Sequence, residues 1–120
     1  MARILIVDDS MIMRRNLKTI LTEAGHTIVG EATNGKEAFA AYATHMPDLV
    51  TMDINMPVMN GIESVKRIIE IFPEARIVMI SALEQRHMVF EALKSGAKHY
   101  IVKPIVEDKV VEVITQVLSA

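Results

Sequence analysis

The sequence predicts an α/β domain built on a doubly wound, five-stranded parallel sheet with five helices, and three observations lead there. Five short apolar runs recur along the chain, their first residues stepping by 23, 22, 28 and 23 positions. The runs are Ile4-Leu5-Ile6-Val7, Thr27-Ile28-Val29-Gly30, Leu49-Val50-Thr51-Met52, Ile77-Val78-Met79-Ile80 and Tyr100-Ile101-Val102. Most are apolar at consecutive rather than alternate positions, as strands covered by helices on both faces must be. Stretches of helical periodicity separate them, and strict strand–helix alternation is the pattern of a parallel α/β sheet.

Each element follows from local chemistry. The first strand stops at Asp8 and Asp9, and Ser10 is placed to cap a helix with Met13, Leu17, Ile20, Leu21 and Ala24 along one face. Gly25 marks the end of that helix. The second strand is interrupted by Gly30 and flanked by polar residues, which suits a sheet edge, and Asn34 is placed to cap the helix after it. The third strand runs into Asp53. Its helix carries Ile62, Val65, Ile69 and Phe72 at helical spacing and stops before Pro73. The fourth strand leads to Ser81, and its helix ends at Gly96. The fifth leads to Lys103-Pro104 and a last helix with Val110, Val113, Ile114, Val117 and Leu118 on one face. The pattern sets the class and leaves strand order open.

Composition bounds the function. A chain of 120 residues is expected to form one domain over residues 1–120, exposing about 6,500 Å² when folded. With 51% hydrophobic and 23% charged residues it is not a disordered chain. The absence of cysteine excludes disulfides, thiolate metal sites and a thiol nucleophile. Thirteen basic against fifteen acidic residues leave no basic footprint for nucleic acid. The amino terminus is apolar for only four residues before two carboxylates interrupt it, too few for a signal peptide or a membrane span. A cytoplasmic protein, monomeric by default for its size, is the expectation, with no output domain after Ala120.

In open α/β sheets ligands bind beyond the carboxyl ends of the strands. Those ends carry Asp8 and Asp9, Asp53, Ser81, and Lys103 with Pro104, while Glu31 closes the second strand and is set aside as an edge residue. Each residue alone has a bland reading: helix caps for Asp8 and Ser81, a turn for Asp53, surface for Lys103. Together, on one rim, they make a site. Three clustered carboxylates repel unless a cation sits among them, and a donor set of hard oxygens favours Mg²⁺ or Mn²⁺. Magnesium usually takes one or two carboxylates plus a phosphate oxygen. Lys103 can neutralise a phosphoryl oxygen and Ser81 can donate to another, leaving a carboxylate free to act as nucleophile.

The four separated motifs, Asp8-Asp9, the segment from Met52-Asp53 through Asn55-Met56-Pro57 to Gly61, Ser81-Ala82 and Lys103-Pro104, make the chain resemble the receiver domain of two-component response regulators from Ile4 to about Leu118. Among receivers it is most similar to the free-standing chemotaxis regulators. The resemblance implies the flavodoxin-like strand order 2-1-3-4-5. It also implies roles. Asp53 would accept a phosphoryl group from a histidine kinase or a small donor such as acetyl phosphate. Asp9 and Asp53 would coordinate Mg²⁺, with Asp8 holding a metal-bound water and the backbone carbonyl of Asn55 completing the protein ligands. Ser81 and Lys103 would bind the phosphoryl group, Tyr100 would be an aromatic rotamer switch, and Lys103–Pro104 would be a cis peptide. The chain departs from common family members in carrying Ser81 for threonine and Ile105 for phenylalanine. Leu83 is apolar at a position that tunes dephosphorylation in the family.

Phosphorylation adds about −1.5 to −2 charges and three acceptor oxygens. Ser81 moving toward them would make room for Tyr100, and the output would be the face of the fourth helix, fifth strand and fifth helix. The fourth helix carries Met88, Val89, Phe90, Ala92 and Leu93, a wider apolar set than one core-facing stripe needs, and the fifth has Val111 beside its stripe. The alternative is that Phe90 and Leu93 belong to the core. A partner protein, a flagellar switch component by the resemblance, is expected on that face, and neither nucleic acid nor membrane is. The competing functions are a phosphorelay intermediate and a receiver-like binding module that is never phosphorylated. A magnesium-dependent aspartyl phosphatase resembling the haloacid dehalogenases would need two aspartates one residue apart, whereas Asp8 and Asp9 are adjacent.

Overall fold

Strand and helix alternate without exception through residues 1–120 of the computed structural model: β1 (Arg3–Val7), α1 (Met11–Glu23), β2 (Thr27–Ala32), α2 (Gly35–His45), β3 (Leu49–Met52), α3 (Gly61–Ile71), β4 (Ile77–Ser81), α4 (Arg86–Lys94), β5 (His99–Val102) and α5 (Glu107–Ser119). All strand pairs are parallel and the order is β2-β1-β3-β4-β5, with β2 at an edge as its polar flanks predict. The strand is two residues longer than its apolar run, so Glu31 belongs to it, and its register against β1 shifts between Ile4 and Leu5.

The predicted caps are in place. Ser10 Oγ accepts from Met13 N at 3.2 Å and Asn34 Oδ1 from Glu37 N at 2.9 Å. Asn60, which the sequence pattern had not singled out, does the same for Glu63 N at 3.0 Å. Gly25 and Gly96 follow α1 and α4 with positive φ, the conformation that ends a helix at least cost in glycine.

Side chains alternate between the two faces of each strand, so the sheet divides the core into two layers. Leu5, Val7, Val50, Met52, Ile77 and Met79 pack with Ala38, Tyr42, Ile62, Val65, Ile68 and Ala92, placing α2, α3 and α4 on one face. Ile4, Ile6, Leu49, Val78, Ile80 and Ile101 pack with Leu17, Leu21, Val110, Val113, Ile114 and Val117, placing α1 and α5 on the other. Within α3 it is Ile68 that is fully buried, with Ile69 half-buried beside it. In α4 only Ala92 is fully buried, while Phe90 is 65% and Leu93 42% exposed, which removes both from the core. The folded chain exposes 6419 Å², in line with the scaling expectation. No helix is long and apolar enough to cross a membrane.

Candidate functional site: a three-carboxylate rim

Parallel register builds the site. Val7 is paired with Met52 across β1 and β3, so the residues that follow, Asp8 and Asp53, emerge side by side at the carboxyl end of the sheet. Backbone bonds continue the ladder past the strands: Asp53 N donates to Val7 O at 3.0 Å and Asp8 N to Ala32 O at 3.1 Å. Ser81 pairs with Val102, and Lys103 N donates to Ser81 O at 2.9 Å, bringing the lysine to the same rim.

One carboxylate oxygen from each of Asp8, Asp9 and Asp53 falls within 4.8 Å of the others. Asp8 and Asp53 are buried, and Asp9 is exposed at the mouth. Lys103 Nζ reaches over the end of β4 to Asp8 Oδ2 at 2.9 Å and Asp53 Oδ2 at 3.4 Å. The other oxygens are held by the backbone: Ile54 N donates to Asp53 Oδ1 at 2.8 Å and Ser10 N to Asp8 Oδ1 at 2.9 Å. Burial pushes the Asp53 carboxyl above the ordinary aspartate range; Lys103 works against that rise, and the neighbouring Asp8 charge adds to it. Burial alone would lower Lys103, but its hydrogen bond to Asp8 and the charges of Asp53 and Asp8 outweigh it and hold the ammonium protonated.

A single lysine against three carboxylates leaves an excess of negative charge in a partly dry site, and the donors are all hard oxygens. That donor set suits a divalent cation such as Mg²⁺ and excludes a thiolate-type centre. Asn55 is exposed in the loop between β3 and α3, two residues beyond Asp53. Gly61, at the start of α3, is pressed against the same segment: a Cβ there would overlap the carbonyl oxygen of Asp53 and lie 2.8 Å from its carbonyl carbon.

Beyond the carboxylates, Ser81 is buried, and its Oγ accepts from Leu83 N at 3.2 Å. Tyr100 is half-buried, its hydroxyl donating to Leu83 O at 2.6 Å, so Ser81 and Tyr100 share Leu83 as a partner. Burial raises the Tyr100 phenol above its usual range; the Ser81 hydroxyl works against that rise and the Asp53 charge adds to it. The Lys103–Pro104 peptide is cis, and Pro104 is exposed at the rim.

Two contacts here go beyond what the sequence pattern indicates. Arg14 Nη1 donates to the backbone carbonyl of Asp8 at 2.7 Å, and its Nε to Glu31 Oε1 at 3.0 Å. Glu31 sits on the same rim as the other strand-end residues, a signal that was visible and set aside because its strand is at the edge. Arg14 gave no signal, since a cation in the first turns of a helix is usually solvated.

Comparison with known proteins agrees with this architecture. Residues 4–115 match the family described as the response regulator receiver domain. The chain is 53% identical over 115 residues to the chemotaxis protein CheY of Thermotoga maritima, covering 96% of each chain. It is 50% identical over 117 residues to CheY of Bacillus subtilis, covering 98% of each. Among solved structures it is similar to the CheX–CheY–BeF3–Mg²⁺ complex of Borrelia burgdorferi, with a TM-score of 0.94 and 41% identity, covering 96% of this chain and 87% of that one. By sequence, strand order and full-length similarity alike, the chain belongs to the response regulator receiver domain family.

Proposed function

We propose that Asp53 accepts a phosphoryl group in a Mg²⁺-dependent reaction and that the resulting charge switches binding to a partner protein, in a chemotaxis pathway. The observation that carries this is the meeting of three carboxylates within 4.8 Å, with Asp53 buried among them and a protonated lysine at its side. A carboxylate oxygen of Asp53 attacks phosphorus, the P–N bond of a phosphohistidine or the P–O bond of acetyl phosphate breaks, and the leaving group departs with the electron pair. Mg²⁺ or Mn²⁺, held by Asp8, Asp9, Asp53 and the backbone carbonyl of Asn55, would neutralise phosphoryl oxygens. Phosphoryl transfer needs mainly position and charge neutralisation. Lys103 already bridges Asp8 and Asp53 and is placed to pair with an incoming oxygen; its ammonium leaves Asp53 for the phosphoryl group without leaving the site.

The switch in this reading runs through Leu83. Ser81 gives up the Leu83 amide to bond the phosphoryl group, the loop between β4 and α4 moves, and Tyr100, tied to the Leu83 carbonyl, moves with it. The face beside that loop carries exposed Phe90, Leu93, Val102 and Val106, apolar groups available to a partner. The phosphoryl donor is a sensor histidine kinase and the output partner a flagellar switch protein, both in the cytoplasm, the protein acting as a monomer. Its similarity to the chemotaxis proteins supports this choice over a phosphorelay intermediate.

The test is intact mass after incubation with acetyl phosphate and Mg²⁺. A single phosphoryl adduct is expected, absent in EDTA and in Asp53→Asn. No adduct in folded wild-type protein would replace this reading with that of a phosphorylation-independent binding module.

A further inference from the structure

We infer that Arg14 and Glu31 form a positioning pair that sets the geometry of the metal-binding carboxylates, acting through the backbone of Asp8. This rests on the metal-dependent reading above. Every polar atom of Asp8 is engaged: its N–H by Ala32 O, Oδ1 by Ser10 N, Oδ2 by Lys103 Nζ and its carbonyl by Arg14 Nη1. The first three contacts come from the residues that build the rim itself. The fourth comes from a helix side chain, only 14% exposed, whose other nitrogen is gripped by Glu31 on the edge strand.

That grip has two consequences. The guanidinium is planar and donates in fixed directions, so a partner on Nε decides where Nη1 points. With Glu31 in place, Nη1 points at the Asp8 carbonyl and pins the turn that carries both Asp8 and Asp9. Without Glu31 the guanidinium is free to pivot toward the carboxylates a few atoms away. There it would join Lys103 as a second cation and compete with the metal. Glu31 thus keeps a necessary hydrogen-bond donor from becoming an inhibitory charge, and the edge strand gains a part in the site that its sequence concealed.

Charge alone and positioning predict opposite signs for one substitution, which makes the inference testable. Removing the positive charge of Arg14 would tighten Mg²⁺ binding on electrostatic grounds, because a cation near the site is lost. If Arg14 positions Asp8, Arg14→Met instead weakens it, by about the tenfold typical of lost supporting contacts around metal ligands. Mg²⁺ affinity would be measured by titration, following the backbone amide resonances of Asp9, Ser10 and Asn55 in wild type, Arg14→Met, Arg14→Lys and Glu31→Ala, with urea unfolding midpoints beside them. Weaker binding in Arg14→Met and Glu31→Ala, with partial recovery in Arg14→Lys, is the expected result. Unchanged or tighter binding in Arg14→Met overturns the positioning role, and so does a fall in unfolding midpoint alone, which a purely structural ion pair would give. No Mg²⁺ binding by folded wild-type protein would overturn the metal-dependent reading itself and the positioning role with it.

Discussion

Asp53 is held in the fold with its pKa above the ordinary aspartate value of 3.8, because burial penalises the carboxylate more than Lys103 favours it. The linkage follows from that sign. As pH rises, the unfolded chain loses this proton first, so metal-free stability falls between the unfolded and folded pKa values and stays lower at neutral pH. Asp53→Asn removes the penalty: its unfolding midpoint at pH 7 is expected above wild type, and the difference should shrink toward acid, where wild-type Asp53 is protonated. Equal midpoints at pH 7 would contradict this. Val58 is a second local tension. It is a β-branched residue at φ 68° and 79% exposed, in the loop just past the site. A left-handed conformation costs such a residue about 1–2 kcal/mol, only part of which glycine's extra unfolded-state freedom takes back. Val58→Gly is expected to raise stability by about 1 kcal/mol, read as a higher urea midpoint with an unchanged slope.

Elements matter here for how closely they approach one another. α3 begins so near β3 that its first residue has no room for a side chain: Gly61 N donates to Ile54 O at 2.9 Å while its Cα faces the Asp53 carbonyl. The contact is with backbone, which cannot swing aside as a flexible side chain could. Gly61→Ala must therefore displace either α3 or Asp53 itself, at a cost of about 3 kcal/mol, the upper end for overpacking. The expected outcome is a lower unfolding midpoint together with weaker Mg²⁺ binding; a loss of stability with normal binding would show that α3 gives way and the site does not. α4 is at the other extreme. It has one fully buried residue and no side-chain cap, and the loop before it holds the Leu83 contacts to Ser81 and Tyr100, so it is the helix least restrained by its own packing.

At the scale of the whole molecule, the two core layers are almost wholly apolar, and the few polar side chains buried with them include Ser64 on α3 and Thr51 on β3. Thr51, in the central strand β3, is 1% exposed, and its hydroxyl has no hydrogen-bond partner. Its neighbours across the sheet are Ile6 and Val78, on the face covered by α1 and α5. A buried hydroxyl without a partner costs about 1–3 kcal/mol relative to a satisfied one, and valine has the same shape. Thr51→Val is expected to stabilise the protein by about 1 kcal/mol without altering Mg²⁺ binding, measured by urea unfolding and metal titration. A destabilised variant would show that the hydroxyl is satisfied after all. The same sheet gives the site its stiffness, since Asp8 and Asp53 extend two paired strands from the middle of a five-stranded ladder.

The sequence by itself determined the elements, their alternation and the residues at the strand ends, because these depend on local matters. Apolar runs, helical periodicity, and caps such as Ser10 and Asn34 act within a few residues of one another. Even the rim was legible, since in a parallel sheet every strand ends on the same side. Strand order was reached only through family resemblance, because a strand that is apolar on both faces reads the same beside any neighbour. Tertiary structure alone decided that Lys103 meets Asp8 across 95 residues and that Arg14 turns inward to the Asp8 carbonyl. It alone decided that Phe90 and Leu93 face solvent. Periodicity says which side chains share a face of an element; what that face meets is set by packing between elements far apart in the chain.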